Sequence, residues 1–381
     1  MSFGGDRLRA WLSARLPMDR VSAFFQAQAA KPLPPNVSWF HTFGSLLLFL
    51  LVNQIVTGVL LMVYYRPTTD HAFDSVRFIS AKAAFGWLIR GLHSWGSTLM
   101  VLFLLLHMAR TFFMGAFKKP RELTWMVGVL IFGAVLMFCF TGYLLPWSQL
   151  SYWATTVGTE IAGSIPVLGT YLKRLLLGGD AVSQETLLRF YVTHVVVLPW
   201  VVVALTVLHL VLVRFQGLAT LQRVGEEAHQ GPGWRPFFPN HVLKELTVFA
   251  IFLAFLLTLV ILWPPEVGDK ADPLNTPAGI KPEWYFLSTY QLLKYFPALL
   301  GIAVSFVPPL LLFFWPLLDR TPERRFRKRP VSVAIGLAAI VIAVVMGLLG
   351  HFSEREVVFF GTRYHVDHYG IPTRAPEAPP K

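Results

Sequence analysis

The sequence predicts an all-α, polytopic membrane fold of seven transmembrane helices, and three observations predict it. The 381-residue chain is 55% hydrophobic and only 14% charged, whereas a soluble domain carries roughly 25% charged residues. Several uninterrupted apolar runs reach the roughly 20 residues that a helix needs to cross a bilayer. Basic residues crowd into the gaps between runs, as in Lys118-Lys119-Pro120-Arg121 and Arg324-Arg325-Phe326-Arg327-Lys328-Arg329. That is the asymmetry of loops retained on the cytoplasmic side. It also explains the net charge of +12 by topology, so no nucleic-acid partner is expected.

In chain order, residues 1–35 mix Arg7, Arg9, Arg15 and Arg20 with Leu8, Trp11, Leu12, Leu16, Val21, Phe24 and Phe25. A signal peptide would need one continuous apolar stretch. An amphipathic helix lying on the cytoplasmic membrane face is expected instead. Spans are then predicted over about Thr42–Tyr64, Gly91–Met114, Thr124–Leu145, Phe190–Val213, Leu246–Trp263, Leu299–Leu318 and Val331–Gly350. The dense Arg/Lys clusters follow spans two, four and six, so the N-terminus is expected in the cytoplasm and the C-terminus outside. Three long segments then fall on the outer side: Tyr65–Arg90, Pro146–Arg189, with short surface helices within Ile161–Leu177, and Pro264–Lys281. Long ordered loops of this kind usually serve function or capping.

The stretch Gln216–Pro239, ending in QGPGWRPFFP, reads as a linker. All four intramembrane histidines precede it. The chain is therefore expected to divide into a four-helix part, 36–230, a three-helix part, 231–350, and an outer tail, 351–381. The single cysteine, Cys139, lies inside an apolar run. One thiol builds neither a disulfide framework nor a CxxCH haem attachment nor a thiolate iron–sulfur site, so Cys139 is read as a packing residue.

Function enters through the histidines. His93 and His107 are 14 residues apart (107 − 93) in the run RGLHSWGSTLMVLFLLLHMAR, and His194 and His209 are 15 apart (209 − 194) in a second run. At about 100° and 1.5 Å per residue, 14 residues make nearly four turns, so each helix carries two same-face imidazoles about 21 Å apart in depth. Under the predicted topology His93 matches His194 near the outer face, and His107 matches His209 near the inner face. Ionisable groups at membrane depth are costly and by default functional. Paired neutral imidazoles suit bis-histidine haem ligation, which leaves no open axial site and so favours electron transfer. Two haems are expected, one at each depth.

Gly44 and Gly58 in span one are also 14 apart (58 − 44), as are Gly128 and Gly142 in span three (142 − 128). A flat macrocycle between helices needs positions without a Cβ. Arg90, Arg110 and Arg189 flank the histidines and are candidate partners for the anionic haem propionates. A transporter or channel using the histidines as a proton relay is the alternative, but a relay needs neither matched depths nor paired glycine intervals.

These four histidines, together with GYLLPWSQLSYWATTV (Gly142–Val157) and Pro282-Glu283-Trp284-Tyr285, resemble the cytochrome b/b6 family of quinol–cytochrome c oxidoreductases. The resemblance runs from about Pro32 to Gly350. The 15-residue histidine interval, YYRPTTDHAF, FGWLIR, FKKPRELTW and IPVLG are similar to the cytochrome b6 branch, here as if fused to its three-span partner, subunit IV. Where that branch has a cysteine tethering an extra haem this chain has Thr42, so no covalent third haem is expected.

The resemblance implies two non-covalent b-type haems and a quinol oxidised at the outer face. One electron would go to a Rieske iron–sulfur protein and onward to a c-type cytochrome, the other across the membrane to a quinone near the cytoplasm, with proton translocation. It implies that Glu283 accepts a quinol proton, with Tyr285, Tyr290 and Pro282 at the same site and Gly142, Pro146 and Trp147 on its opposite wall. A carboxyl in an apolar pocket suits that role because burial raises its pKa. Arg214 is similar to an inner quinone-site arginine, and FFPNHVLKE makes Lys244 and Glu245 candidates for proton uptake. The setting implied is a bacterial cytoplasmic (inner) membrane, in a homodimer within a larger complex.

Overall fold

The computed structural model describes residues 3–35, 37–226 and 232–374. Seven helices among them are long and apolar enough to cross a membrane: Trp39–Met62, Gly86–Phe113, Glu122–Leu144, Gln184–Gln216, Asn240–Leu262, Leu299–Leu318 and Pro330–Phe352, here spans one to seven. In hydrocarbon, backbone N–H and C=O groups have no water to pair with, and a helix satisfies them internally. The chain is a multi-pass membrane protein. The expected division near residue 230 lies outside the described residues.

Span one packs along span two, and span three along span four, while span five leans on spans one and two and span six on span three. The main apolar core sits where spans one, two, three and five meet, around Leu50, Val101, Val135 and Leu256. A second cluster, Met108, Phe112, Phe117, Trp125 and Val129, lies under span six at the end of the bundle that carries the arginine clusters. We call this the basic end, and the opposite one the Glu283 end.

The last three spans are tied to the first four at the basic end by buried charges. Lys118 Nζ lies 2.6 Å from Asp319 Oδ1, with side-chain exposures of 2% and 5%. Ser332 Oγ donates to Asp319 Oδ2, and Arg329 Nη2 donates to the Phe112 and Phe113 carbonyls. Trp125 Nε1 donates to the Leu312 carbonyl, joining spans three and six.

Span four departs from a regular helix. One π turn, Thr193–Val197, is closed by the Leu198 N–H donating to the Thr193 carbonyl. Pro199 follows in the first turn of the resumed α-helix, and a proline cannot supply the N–H that an unbroken α ladder requires there. This span also begins earlier than its apolar run, at Gln184, because Ser183 caps a polar first turn.

At the Glu283 end the loops are more structured than their sequence suggests. The expectation of short helices within Ile161–Leu177 is met by Gly169–Leu177, but a longer helix, Gln149–Gly163, precedes it. Ser148 starts that helix by accepting from the Ser151 N–H. A further helix, Ala72–Ala81, lies between spans one and two. The N-terminal segment forms two helices, Phe3–Ser13 and Met18–Ala29, with Leu8, Trp11, Phe24 and Phe25 exposed. Part of the linker, Arg235–Pro236, pairs antiparallel with Pro32–Leu33. The tail forms three antiparallel strands, Arg355–Phe359, Thr362–Val366 and Pro372–Arg374.

Candidate functional site

Each of the four histidines faces one of the four glycines. A Cβ added to Gly44 would meet His107 Cε1 at 3.4 Å, and one on Gly58 would meet His93 Cε1 at 3.4 Å. On Gly128 it would meet His209 Cε1 at 3.5 Å, and on Gly142 it would meet His194 Cε1 at 2.5 Å. Spans one and three therefore present glycine to the imidazoles of spans two and four. The two 14-residue glycine intervals match the histidine intervals because the same helical period governs both.

The His93 and His194 ring centres are 6.4 Å apart, with planes inclined by 68°. That separation leaves room for a metal ion between the two rings, a metal–imidazole bond being about 2 Å. His107 and His209 are electrostatic neighbours at the basic end. The π turn explains why a 15-residue interval serves as well as 14. An extra residue would rotate a regular helix by about 100°, and the wider turn at Thr193–Val197 takes it up.

Two residues that sequence reasoning did not single out hold this region. Gln54 Nε2 donates to the His93 carbonyl at 3.0 Å and Asn53 Nδ2 donates to the Leu92 carbonyl at 3.1 Å. The available signal was their polarity inside an apolar run. The flanking arginines divide. Arg90 donates to Ser80 Oγ and to the carbonyls of Pro265 and Glu266, pinning the segment that leaves span five. Arg189 Nη1 donates to the Leu175 carbonyl. Arg110, by contrast, has a buried Nε with no hydrogen-bond partner, and its Nη2 lies 3.5 Å from His107 Nδ1. Glycine clearance, ring spacing and an orphaned buried guanidinium nitrogen together fit a bis-histidine macrocycle bearing anionic groups.

Glu283 is the residue before the helix Trp284–Leu293, and its side chain makes no capping bond. It lines a cavity of about 220 Å³ with Tyr143, Lys281, Pro282, Trp284, His351 and Arg355 among the other walls. The helix N-terminus would favour its anion, yet burial prevails and pushes the carboxyl above its ordinary value. The Tyr143 hydroxyl is buried and lacks a hydrogen-bond partner. Tyr285 lies beside Cys139 and burial raises its hydroxyl strongly. The Tyr290 ring sits 4.8 Å beneath Lys294 Nζ, and burial raises its hydroxyl too. Tyr143, His351 and Arg355 were not legible as members of this cavity, since they come from two parts of the chain distant from Glu283.

Pro146 and Trp147 are not among the cavity walls. Trp147, at a positive φ of 51°, is buried against Tyr152 in the loop core. Its carbonyl accepts from the Ala271 N–H.

At the basic end, a cavity of about 1240 Å³ is lined by Lys31, Arg121, Arg214, Arg223, His241 and Arg324, among others. Arg214 is thus in a cationic chamber. Lys244 and Glu245 are beside it rather than in its walls: Lys244 Nζ lies 5.2 Å from the Trp39 ring centre, and Glu245 lies 3.2 Å from His241 Nε2.

Comparison with known proteins gives consistent matches along the chain. Residues 28–217 match the family model described as cytochrome b/b6/petB, and residues 270–366 match that of cytochrome b(C-terminal)/b6/petD. The "Cytochrome bc complex cytochrome b subunit" of Chlorobaculum thiosulfatiphilum is 40% identical over 347 residues, 89% of this chain and 80% of that protein. "Cytochrome b" of Rickettsia conorii is 34% identical, over 94% of this chain and 90% of its own length. A solved chain of a "Hyperthermophilic respiratory Complex III" superposes with a TM-score of 0.82 at 32% identity, covering 90% of this chain and 91% of that one.

Proposed function

Given that this chain belongs to the cytochrome b/b6 family, we propose that it is the dihaem subunit of a quinol–cytochrome c oxidoreductase. Its general role, as the cytochrome b of a bc-type complex, is electron transfer within a membrane. The finer reading rests above all on the four glycine–histidine facings. His93 and His194 would hold one b-type haem and His107 and His209 the other, and the two bound haems would supply one-electron carriers at two depths.

The chain's own residues do the rest. Glycines 44, 58, 128 and 142 keep the space beside the imidazoles open. Arg110 supplies an unpaired Nε donor for an anionic group near His107. At the Glu283 end a quinol gives up two electrons and releases two protons to the outer aqueous side, one of them by way of Glu283. One electron leaves for a Rieske iron–sulfur protein and a c-type cytochrome; the other crosses to a quinone at the basic end, near Arg214. Glu283, kept neutral less readily than its burial alone would suggest by the adjacent helix N-terminus, accepts one proton and releases it outward. Lys244 and Glu245 serve proton uptake at the opposite side. With the arginine clusters in the cytoplasm of a bacterium, proton release is periplasmic and the cycle moves charge across the inner membrane. The assembly is a homodimer within a larger complex.

A proton relay between the histidine levels finds no support, because the interval between them on span two is filled by buried Leu99, Met100, Val101 and Leu104. The test is reduction by substrate. Adding a quinol to the purified complex should develop a b-type haem band, and Glu283→Gln should slow that reduction while leaving the haem content intact. A protein reduced by dithionite but inert to every quinol would overturn the reading.

A further inference from the structure

The two histidine levels differ in what stands behind the imidazoles. Thr57 Oγ1 lies 2.9 Å from His93 Nδ1, and Thr141 Oγ1 lies 3.3 Å from His194 Nδ1. Both hydroxyls are buried, with their residues 4% and 1% exposed. Their protons are committed elsewhere. Thr57 Oγ1 donates to the Asn53 carbonyl at 2.6 Å, and Thr141 Oγ1 donates to the Met137 carbonyl at 2.8 Å. A hydroxyl has one proton and two lone pairs, so towards histidine each threonine is an acceptor. Nδ1 must then carry the hydrogen, which leaves the Nε2 lone pair of both rings free to ligate.

At the basic end no hydroxyl stands behind either imidazole among the described residues. His209 Nδ1 is buried without a partner of good geometry, although the Thr124 carbonyl lies on that side. His107 Nδ1 has Arg110 Nη2 at 3.5 Å, a cationic group with no lone pair to accept its hydrogen. The sequence register makes the contrast plain. The residue before each facing glycine is Thr57 or Thr141 at the Glu283 end, but Phe43 or Val127 at the basic end.

We propose that Thr57 and Thr141 are positioning residues that fix His93 and His194 in the Nε2-ligating tautomer and lower the redox potential of the haem between them. The inference rests on the ligation proposed above. An acceptor behind Nδ1–H makes the imidazole a richer donor, and a richer axial donor favours the ferric state. The pair thereby sets the two haems apart electronically through the chain's own hydroxyls.

Redox titration of the purified complex, followed through the b-type absorption band, tests this. Thr141→Val copies what the chain itself has at Val127, and Thr57→Val removes the other acceptor. Each should raise the midpoint of one of the two titrating components and leave the other in place, with a larger rise in the double variant. Thr57→Ser and Thr141→Ser, which keep the hydroxyl, should restore the original midpoint; a merely structural role would not be rescued in that way. Unchanged midpoints in both valine variants with two haems retained would overturn the proposal, as would an equal shift of both components. Failure of the ligation reading looks different: the unsubstituted protein then carries no haem.

Discussion

A Cβ on Gly142 would stand 2.5 Å from Cε1 of His194, closer than any real Cβ contact, while one on Gly58 would stand 3.4 Å from His93 Cε1, an ordinary approach. Spans three and four are thus in tighter register at this level than spans one and two. Gly142→Ala must push His194 aside, and close-packed interiors do not absorb such a shift cheaply. The expected outcome is loss of one of the two haems per chain, or a marked change in its absorption band. Gly58→Ala, which makes no such clash with His93, should cost less haem. Haem-to-protein ratios of the two purified variants check the difference, and equal ratios would contradict it.

Glu283 gives a pH prediction. Burial raises its folded-state pKa, so the carboxyl keeps its proton to higher pH than an exposed glutamate. In the proposed role, the basic form is the one that accepts a quinol proton. Quinol oxidation should therefore rise as pH increases through that raised value, and Glu283→Gln should flatten this limb. The loss in rate expected for removing a general base is about 10²-fold or more. Initial rates across pH, with haem spectra as a control, are the measurement.

The buried Lys118–Asp319 pair should hold the two groups of spans together. Burial works against the Asp319 anion, but hydrogen bonds from Lys118, Thr321 and Ser332 outweigh it and hold the carboxyl down to about 2. A depressed folded-state value means that the stabilisation is present above the ordinary 3.8 and is lost as pH falls through about 2. Asp319→Asn leaves Lys118 buried without its counter-ion, which costs about 3 kcal/mol. Thermal unfolding in detergent at neutral pH should show the variant melting several degrees lower. An unchanged transition would mean that the pair contributes no net stability.

Much of this architecture was legible in the sequence because one physical rule governs each part of it. Span length follows from bilayer thickness, and the four histidines and four glycines obey the same helical period, so their facing could be expected before any coordinates. Residues whose roles depend on distant segments were harder to read. Arg90 and Arg189 sit at helix ends beside the histidines, yet their guanidinium groups bond to backbone carbonyls brought in by Pro265, Glu266 and Leu175. Trp147 follows Pro146 in a motif-rich stretch but turns into the loop core because Tyr152 and Ala271 meet it there. His351 and Arg355 reach the Glu283 cavity only because the tail folds back over the helix Trp284–Leu293. The π turn left a trace, the extra residue between His194 and His209 with Pro199 beside it, but its conformation needed the structure.

The central claim, that each histidine pair holds one haem, is tested most directly by counting haem per chain in the unsubstituted protein and in His194→Ala and His107→Ala. Two haems are expected in the first and one in each variant, with the component that disappears differing between them. A colourless protein produced with adequate haem supply, or a count that neither substitution changes, would contradict the account.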